Sequence, residues 1–316
     1  MSTKGPRLRV TARRTIAEGV VELTLEDGEG GRLRDWTPGA HIDLVLPDGR
    51  ARQYSLCGDR WDAYRYRIAV LRERHGRGGS AYVHDRLRVG DEIGFGGPRN
   101  RFPMVPARRY VFVAGGIGIT PFLPMIRQAE IVGAQWTLVY GGRQRRTMAY
   151  AGELASHGDK VRIMPEAEYG RLRPREWLGE PEDSVRVYCC GPPGLIESVR
   201  RACRDWPAPT LRVERFTAST PERGRAREEP FEVVFSRTGR SAIVPTGKSV
   251  LRVLRENGYE RLSSCSSGVC GTCVTTVVAG RVDHRDSVLS DDEREAGDKM
   301  LPCVSRSFGD RLVLDL

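Results

Sequence analysis

The sequence lacks any long uninterrupted apolar run. Its longest apolar stretch, residues 110–126, contains three glycines and two prolines, and it is too short and too broken to cross a membrane. The first ten residues, MSTKGPRLRV, have no apolar core of the kind that a secretory signal requires. We therefore expect a cytoplasmic protein with no membrane partner.

Also missing is a run of lysine and arginine interleaved with aromatic residues, the pattern typical of nucleic-acid binding. The 316 residues carry 51 basic and 41 acidic side chains, a net charge of +10. Residues 231–316 hold 12 of each sign, so the whole basic surplus lies in the first 230 residues. Because the phosphates of small cofactors suit such a surface as well as a nucleic acid does, we predict no nucleic-acid partner. We also expect a monomer.

Eight cysteines are present, four of them within the last 52 residues. A cytoplasmic chain of this size rarely builds a disulfide framework, so the cysteines indicate metal binding or redox chemistry. We interpret Cys57, Cys189 and Cys203 as packed apolar side chains.

The first hundred residues show short segments in which apolar and polar residues alternate. Val21, Leu23 and Leu25 fall on one face of such a segment, and Asp-Gly pairs at 27–28 and 48–49 predict hairpin turns. Alternating strands joined by tight turns are typical of an antiparallel barrel.

From Met104 onwards, strands alternate with helices, which predicts a parallel sheet covered on both faces. Two glycine-rich turns each follow a buried strand, AGGIGITPF at 114–122 and CGPPG at 190–194. Ligands of such sheets bind at the carboxyl ends of the strands, so both turns are expected to line one nucleotide crevice. In the first domain, GRGGS at 76–80 opens a helix and is a candidate phosphate site.

The chain beyond Phe216 begins with a charged, proline-containing segment that we interpret as a linker. A hairpin and a short helix follow, with Ser249 as the N-cap and Asn257 at the stop. The predicted organisation is a barrel domain at 1–103, a nucleotide-binding α/β domain at 104–216, a linker at 217–230, and a third domain at 231–316.

The third domain contains SCSSGVCGTCV, in which three cysteines lie close together. A redox dithiol requires that no third thiolate lies close by to compete with it. A zinc site usually draws its four ligands as two pairs that are each close in sequence. Cys265, Cys270 and Cys273, with Cys303 standing 30 residues later, instead have the spacing of a plant-type 2Fe-2S cluster. We predict these four as iron ligands. Since a cluster takes single electrons and a nicotinamide gives two, a flavin is expected between them.

The chain resembles the phthalate dioxygenase reductase family, which includes vanillate O-demethylase reductases. The segments that carry the resemblance occur in the family order between Arg7 and Leu316: RQYSLCGD, GRGGS, PRNRFP, AGGIGITP, CGPPG, CSSGVCGTC, DHRD and CVSR. The resemblance implies an FMN-binding antiparallel barrel, a nucleotide-binding parallel sheet and a plant-type ferredoxin domain of the α+β, β-grasp kind.

The resemblance also implies roles for individual residues. Ser55, Cys190 and Phe216 are expected at the site of hydride transfer, with Ser55 near flavin N5 and Phe216 capping the flavin. The implied cofactor contacts are Arg52, Tyr54, Ser55, Leu56, Gly78, Gly79, Ser80 and Phe216 for FMN, and Gly115, Gly116, Gly118, Thr120, Pro121, Cys190, Gly191 and Pro192 for the nucleotide.

FMN is favoured over FAD because the segment between RQYSL and GRGGS is too short to add a loop for an adenine. NADH is favoured because Glu166 and Glu168, which follow the third strand of the parallel sheet, would repel a 2′-phosphate. Arg143, Arg145 and Arg146 leave NADPH as the alternative.

The implied function is a reductase that passes electrons from NADH through FMN and a 2Fe-2S cluster to a terminal oxygenase, with a Rieske oxygenase favoured as partner. One alternative keeps the enzyme and changes the acceptor to a cytochrome P450. The other is a non-enzymatic ferredoxin-like carrier, which residues 231–316 could support alone. We assign no metal to His84, Asp283, His284 or Asp286, and interpret DHRD as a turn before the loop that returns to Cys303 or as a contact with the partner.

Overall fold

The computed structural model describes residues 5–73, 76, 78–207, 210–216, 229–259, 263, 265–289 and 291–316. The chain forms two compact units, Met1–Phe216 and Thr217–Leu316. Of the predicted linker, residues 217–228 lie outside the described residues, and the domain boundaries stay predictions. Across the described part of the chain, no helix combines the length and apolar composition that a membrane crossing demands.

The first half of unit Met1–Phe216 is an antiparallel barrel, as the sequence predicts. Its sheet has the order β4-β3-β6-β1-β2-β5, and a bridge between Leu56 and Ile68 joins the two outer strands. Alternate residues such as Leu23, Leu25 and Ile42 fill its core, which is why the period-2 pattern was informative. The elements are β1 (Arg7–Ala17), β2 (Val20–Asp27), β3 (Ala40–Val45), β4 (Ala51–Ser55), β5 (Arg65–Leu71), α1 (Gly79–Asp85) and β6 (Glu92–Asn100).

One of the two predicted hairpin turns is wrong. Strand β2 pairs with β1 and β5 and not with β3, so the Asp-Gly pair at 27–28 closes no hairpin. The Asp27 carboxylate instead accepts hydrogen bonds from the backbone N–H groups of Glu29 and Gly31, which turns the chain away from β2. The β1–β2 hairpin closes at Gly19, whose φ is 74°. The second turn, at 48–49, is confirmed because it joins the paired strands β3 and β4.

The second half of this unit is a parallel sheet with the order β11-β10-β7-β8-β9. Phe112 and Phe122 belong to the core on one face, and Val111, Val113 and Ile196 to the core on the other, so helices cover both faces as predicted. The elements are β7 (Arg109–Gly115), α2 (Phe122–Ile131), β8 (Gln135–Gly142), α3 (Ala151–Ala155), β9 (Val161–Pro165), α4 (Glu166–Tyr169), α5 (Arg175–Leu178), β10 (Val185–Cys190), α6 (Pro193–Ala202) and β11 (Leu211–Glu214).

The strand order places a topological switch point between β7 and β10. The chain passes from β7 outwards to β8 and β9, and then returns to the other side of β7 with β10 and β11. The connections after β7 and β10 therefore leave in opposite directions and open a crevice at the carboxyl ends of these strands.

Unit Thr217–Leu316 is a mixed sheet with a helix packed on it, the predicted β-grasp arrangement. The sheet has the order β13-β12-β18-β14-β16, with β12 parallel to β18. Helix α7 begins after Ser249, whose hydroxyl accepts a hydrogen bond from the N–H of Arg252, and ends at Asn257, as predicted. The elements are β12 (Phe231–Phe235), β13 (Ser241–Val244), α7 (Val250–Glu256), β14 (Thr275–Ala279), β15 (Val282–Asp283), α8 (Asp291–Ala296), β16 (Lys299–Met300), β17 (Arg306–Ser307) and β18 (Arg311–Leu314).

Candidate functional site

The four predicted iron ligands lie in unit Thr217–Leu316, and the fold brings them together. Cys265, Cys270 and Cys273 lie on the loop between α7 and β14, and Cys303 arrives just before β17. All four are buried and none is in a disulfide. Gly268 has a φ of 71°, and a side chain there would meet Val304 at 2.7 Å, so the loop needs glycine at this point.

The four sulfurs form two contacting pairs. The thiol of Cys270 hydrogen-bonds to Cys265, which lowers the pKa of Cys265 to about 4 and raises that of Cys270. Cys273 and Cys303 are paired in the same way, with the pKa of Cys273 lowered and that of Cys303 raised. The spacing of these ligands along the chain, with three on one loop and Cys303 30 residues later, is that of a plant-type 2Fe-2S cluster.

Backbone donors already point at these sulfurs. The N–H of Ser267 donates to Cys265 Sγ at 3.3 Å, and the N–H of Thr272 donates to Cys270 Sγ at 3.4 Å. Hydrogen bonds from backbone amides stabilise thiolates and tune the potential of a cluster. The residues present therefore fit a 2Fe-2S cluster.

The DHRD segment packs against the cysteine loop. The carboxylate of Asp286 accepts hydrogen bonds from the N–H groups of Val288 and Leu289 at 3.0 and 2.9 Å, which closes a turn. The backbone of Asp286 lies against Gly268, and the N–H of Ser287 donates to the Gly268 carbonyl. The turn predicted at DHRD is present, and it packs directly on the cysteine loop.

In the barrel, Ser55 has the property expected of a flavin contact. Ser55 is buried, and its hydroxyl has no hydrogen-bond partner among the described residues. A buried hydroxyl without a partner is unfavourable, so a ligand that supplies the partner fits this position. Tyr54 is partly buried beside Ser55, and burial raises its pKa to about 12. Leu56 packs its side chain in the barrel core, so only its backbone is placed to contact a cofactor.

The predicted phosphate turn lies next to the flavin strand. Gly78 has a φ of 81° and precedes α1, which begins at Gly79. A side chain at Gly79 would meet Arg52 Cγ at 2.6 Å, so the glycine lets the arginine side chain lie across the start of the helix. Ser80 Oγ accepts a hydrogen bond from the N–H of Glu73 at 2.9 Å. This arrangement of Arg52, Gly79 and Ser80 fits an anionic group.

The two glycine-rich turns of the parallel sheet pack directly on each other at the switch point. A side chain at Gly115 would meet Pro192 at 2.6 Å, and one at Gly118 would meet the carbonyl oxygen of Cys190 at 2.4 Å. Gly191 lies against Gly115 in the same way. The glycines therefore let the two turns pack closely into one surface at the carboxyl ends of β7 and β10, where this fold binds dinucleotides.

The remaining predicted nucleotide contacts start the helix that follows this surface. Gly116 begins a 3₁₀ turn, and Thr120 Oγ1 donates to the carbonyl of Ile117 at 3.0 Å. Pro121 is the N-cap of α2. A cavity of about 1060 Å³ lies at the opposite end of the sheet, at the amino ends of the strands beside Arg109, Gln135 and Ser184. Ligands of this fold bind at the carboxyl ends of the strands, where the glycine turns lie.

Cys190 is fully buried at the end of β10, and it has a neighbour that the sequence analysis missed. Its sulfur lies 3.9 Å from a carboxylate oxygen of Glu214, the residue opposite it on β11. Burial raises the pKa of Glu214 to about 8, and burial together with this carboxylate raises the pKa of Cys190. A carboxyl group that titrates near neutral pH beside a ligand crevice can hold or release a proton there. The available signal was an acid at the carboxyl end of a parallel strand.

Phe216 is the last described residue of its unit, two positions after Glu214, and 41% of it is exposed. The adjacent strands β10 and β11 place it at the same edge of the sheet as Cys190.

The charged residues expected at the adenosine end are paired with one another. Glu168 forms an ion pair with Arg145 at 3.0 Å, and Glu166 forms one with Arg171 at 3.3 Å. Both acids lie on α4, directly after β9, and the carbonyl of Arg143 accepts a hydrogen bond from the N–H of Ala167. Both carboxylates that favour NADH therefore have an arginine partner.

Comparison with known proteins agrees with the geometry. Residues 234–307 match the 2Fe-2S iron-sulfur cluster binding domain, and residues 112–201 match the oxidoreductase NAD-binding domain. The reductase subunit of a tert-butanol monooxygenase and tert-amyl alcohol desaturase from Aquincola tertiaricarbonis is 40% identical over 98% of this chain and 95% of its own length.

Two solved structures extend the comparison. An intact type IV self-sufficient cytochrome P450 monooxygenase matches with a TM-score of 0.90 and 39% identity, covering 100% of this chain and 42% of that one. Phthalate dioxygenase reductase, described as a modular structure for electron transfer from pyridine nucleotides to a 2Fe-2S centre, matches with a TM-score of 0.72 and 38% identity over 98% of this chain and 97% of that one. The chain is thus an oxidoreductase with an NAD-binding domain and a 2Fe-2S cluster binding domain, and it belongs to the phthalate dioxygenase reductase family.

Proposed function

We propose that this chain is the reductase component of an oxygenase system and that it delivers single electrons, taken from NADH, to a terminal oxygenase of the Rieske type. The observation that carries this is that three buried cysteines of one loop and the buried Cys303 come together, with backbone amides donating to the sulfurs of Cys265 and Cys270. A flavin at Ser55 and a nucleotide at the glycine turns supply the electrons.

When bound, FMN accepts the two electrons of a hydride and gives them up one at a time. The chain's own residues hold and orient the reactants. The hydroxyl of Ser55 would hydrogen-bond the flavin, and Arg52 and Ser80 would hold its phosphate. The turns at Gly115–Gly118 and Cys190–Pro192 would hold the nicotinamide nucleotide, and Glu214 would hold a proton next to Cys190. Positioning supplies most of the catalysis, because no side chain need act as a nucleophile.

The Rieske acceptor rests on the resemblance to phthalate dioxygenase reductase, which spans nearly the whole of both chains. A cytochrome P450 acceptor is the second candidate, and the high similarity to part of a self-sufficient P450 monooxygenase favours it. Reconstitution with an oxygenase of each class, measuring hydroxylated product rather than dye reduction, separates the two. The proposal expects product with the Rieske enzyme, and product with the P450 alone would overturn it.

The substitution Cys303→Ser tests the division of labour between flavin and cluster. It removes one of the four iron ligands in unit Thr217–Leu316 and leaves the flavin barrel and the nucleotide sheet intact. We expect electron delivery to cytochrome c or an oxygenase to fall at least about a hundredfold, while reduction of a small dye by NADH changes less than about twofold. Cys203→Ser is the matched control, because Cys203 is also buried but packs behind α6 in the other unit. Equal loss of both activities in Cys303→Ser would contradict the proposal.

A further inference from the structure

Within unit Met1–Phe216, the barrel and the parallel sheet share one core at the junction between them. Val20, Cys57 and Ala69 from the barrel are buried in the same apolar cluster as Phe112 and Tyr150 from the nucleotide-binding half. Burying a polar group at such a junction costs free energy unless the group is hydrogen-bonded. Three groups able to form polar contacts, Glu22, Tyr150 and Cys57, are nevertheless buried here.

The first of these groups is Glu22, a buried acid on β2. Its carboxylate forms ion pairs with Arg14 at 3.1 Å and Arg67 at 3.6 Å. The hydroxyl of Tyr150, from the other half, donates to the second oxygen of Glu22 at 2.8 Å. A buried carboxylate is costly unless it is well partnered, and here the last partner comes from the nucleotide-binding half.

The second group is Tyr150 itself, at the start of α3. It has a φ of 61°, in the left-handed region that residues other than glycine rarely adopt. Such a conformation persists only where the surroundings enforce it, and it is concentrated at functional sites. The side chain of Tyr150 is buried in the shared apolar cluster, and its hydroxyl contacts Glu22 and Cys57.

The third group, Cys57, connects Tyr150 to the predicted flavin strand. Its sulfur lies 3.5 Å from the Tyr150 hydroxyl, and it follows Ser55 by two residues. Its backbone is fixed as well, because its N–H donates to the carbonyl of Arg67 at 2.9 Å and Arg67 donates back to the Cys57 carbonyl at 3.2 Å. A displacement of Tyr150 would therefore move Cys57 and, through the backbone, the end of β4.

We propose that Tyr150 is a positioning residue for hydride transfer, whose hydroxyl, shared by Glu22 and Cys57, sets the position of the nucleotide-binding half relative to Ser55. This inference rests on the proposed function, because it takes Ser55 as the flavin contact. It adds that the alignment of the two reactants depends on one buried hydroxyl that touches neither of them.

The test compares Tyr150→Phe with the wild-type holoenzyme. An error of an ångström in the approach of two reactants lowers a rate without weakening binding. We expect the limiting rate constant for anaerobic flavin reduction by NADH to fall about tenfold, while the Kd for NADH and the FMN content change less than about twofold. Amide hydrogen exchange should become faster in peptides covering Ser55–Cys57 and α3. Tyr64→Phe, an exposed tyrosine of the same barrel, is the matched control and should leave all four quantities unchanged.

Glu22→Gln provides a second variant with the same side-chain shape, and it carries the test if Tyr150→Phe does not fold. Glu22→Gln removes the charge of the acceptor and Tyr150→Phe removes the donor. Because both variants act on the same contact, the double variant should be no slower than the slower single variant. A Tyr150→Phe enzyme that loses thermal stability but keeps the wild-type reduction rate would overturn the inference, as would rate losses that multiply in the double variant. If the wild type itself binds no flavin or is not reduced by NADH, the proposed function fails instead.

Discussion

At the scale of single residues, the pKa of Glu214 makes a testable difference to stability. Its carboxyl is protonated in the folded chain up to about pH 8, but it ionises near pH 4.5 once unfolded. Because the folded state binds the extra proton between these values, the contribution of Glu214 to stability falls as pH rises from about 4.5 to about 8. Glu214→Gln removes this dependence.

We therefore expect Glu214→Gln to gain stability relative to the wild type as pH rises through that window, measured by denaturant unfolding of the two proteins at each pH. The exposed Glu153→Gln is the control and should follow the wild-type curve. Parallel curves for Glu214→Gln and wild type would show that the carboxyl is not held protonated beside Cys190.

Residues also differ in how well their place in a site can be predicted from the sequence. The four cysteines were predictable because a metal cluster fixes both ligand type and spacing. Glu214 and Tyr150 were not, because their contacts depend on which strands become neighbours. Glu214 meets Cys190 across the β10–β11 register, and Tyr150 meets Glu22 across 128 residues of chain.

At the scale of elements, the glycine turns after β7 and β10 act as one piece. Gly118→Ala would place a methyl group 2.4 Å from the carbonyl oxygen of Cys190. This oxygen belongs to the backbone of a strand, so it cannot rotate away as a side chain could. We expect a loss of about 1–3 kcal/mol in stability and a several-fold rise in the KM for NADH. Gly152→Ala on α3 is the control, since nothing lies near its added methyl group.

Thermal unfolding and NADH-dependent dye reduction of both variants measure these effects. Wild-type values for Gly118→Ala would mean that the two turns do not meet.

Strand and helix types were well predicted from the periodicity of apolar residues, because burial on one or both faces of an element determines that periodicity. The pairing of strands was less predictable: the Asp-Gly pair at 27–28 looks like a hairpin turn, but the side chain of Asp27 bonds to its own loop instead.

At the scale of the whole molecule, the chain separates its tasks between two compact units, with hydride chemistry in Met1–Phe216 and single-electron chemistry in Thr217–Leu316. The charges follow the same division, because the surplus of ten basic residues lies within the first 230, which include the two sites that we propose for phosphate-bearing cofactors. The sequence predicted this order of parts because each part has its own local motif. It could not predict the contacts between the barrel and the parallel sheet, which no local motif encodes.

The visible absorption spectrum of the protein purified without air tests this division most directly. The predicted spectrum contains flavin and 2Fe-2S bands, with two irons and two acid-labile sulfides per chain, and both sets of bands bleach when NADH is added. A protein without iron and sulfide, or one with stoichiometric zinc in their place, would contradict the assignment of Cys265, Cys270, Cys273 and Cys303.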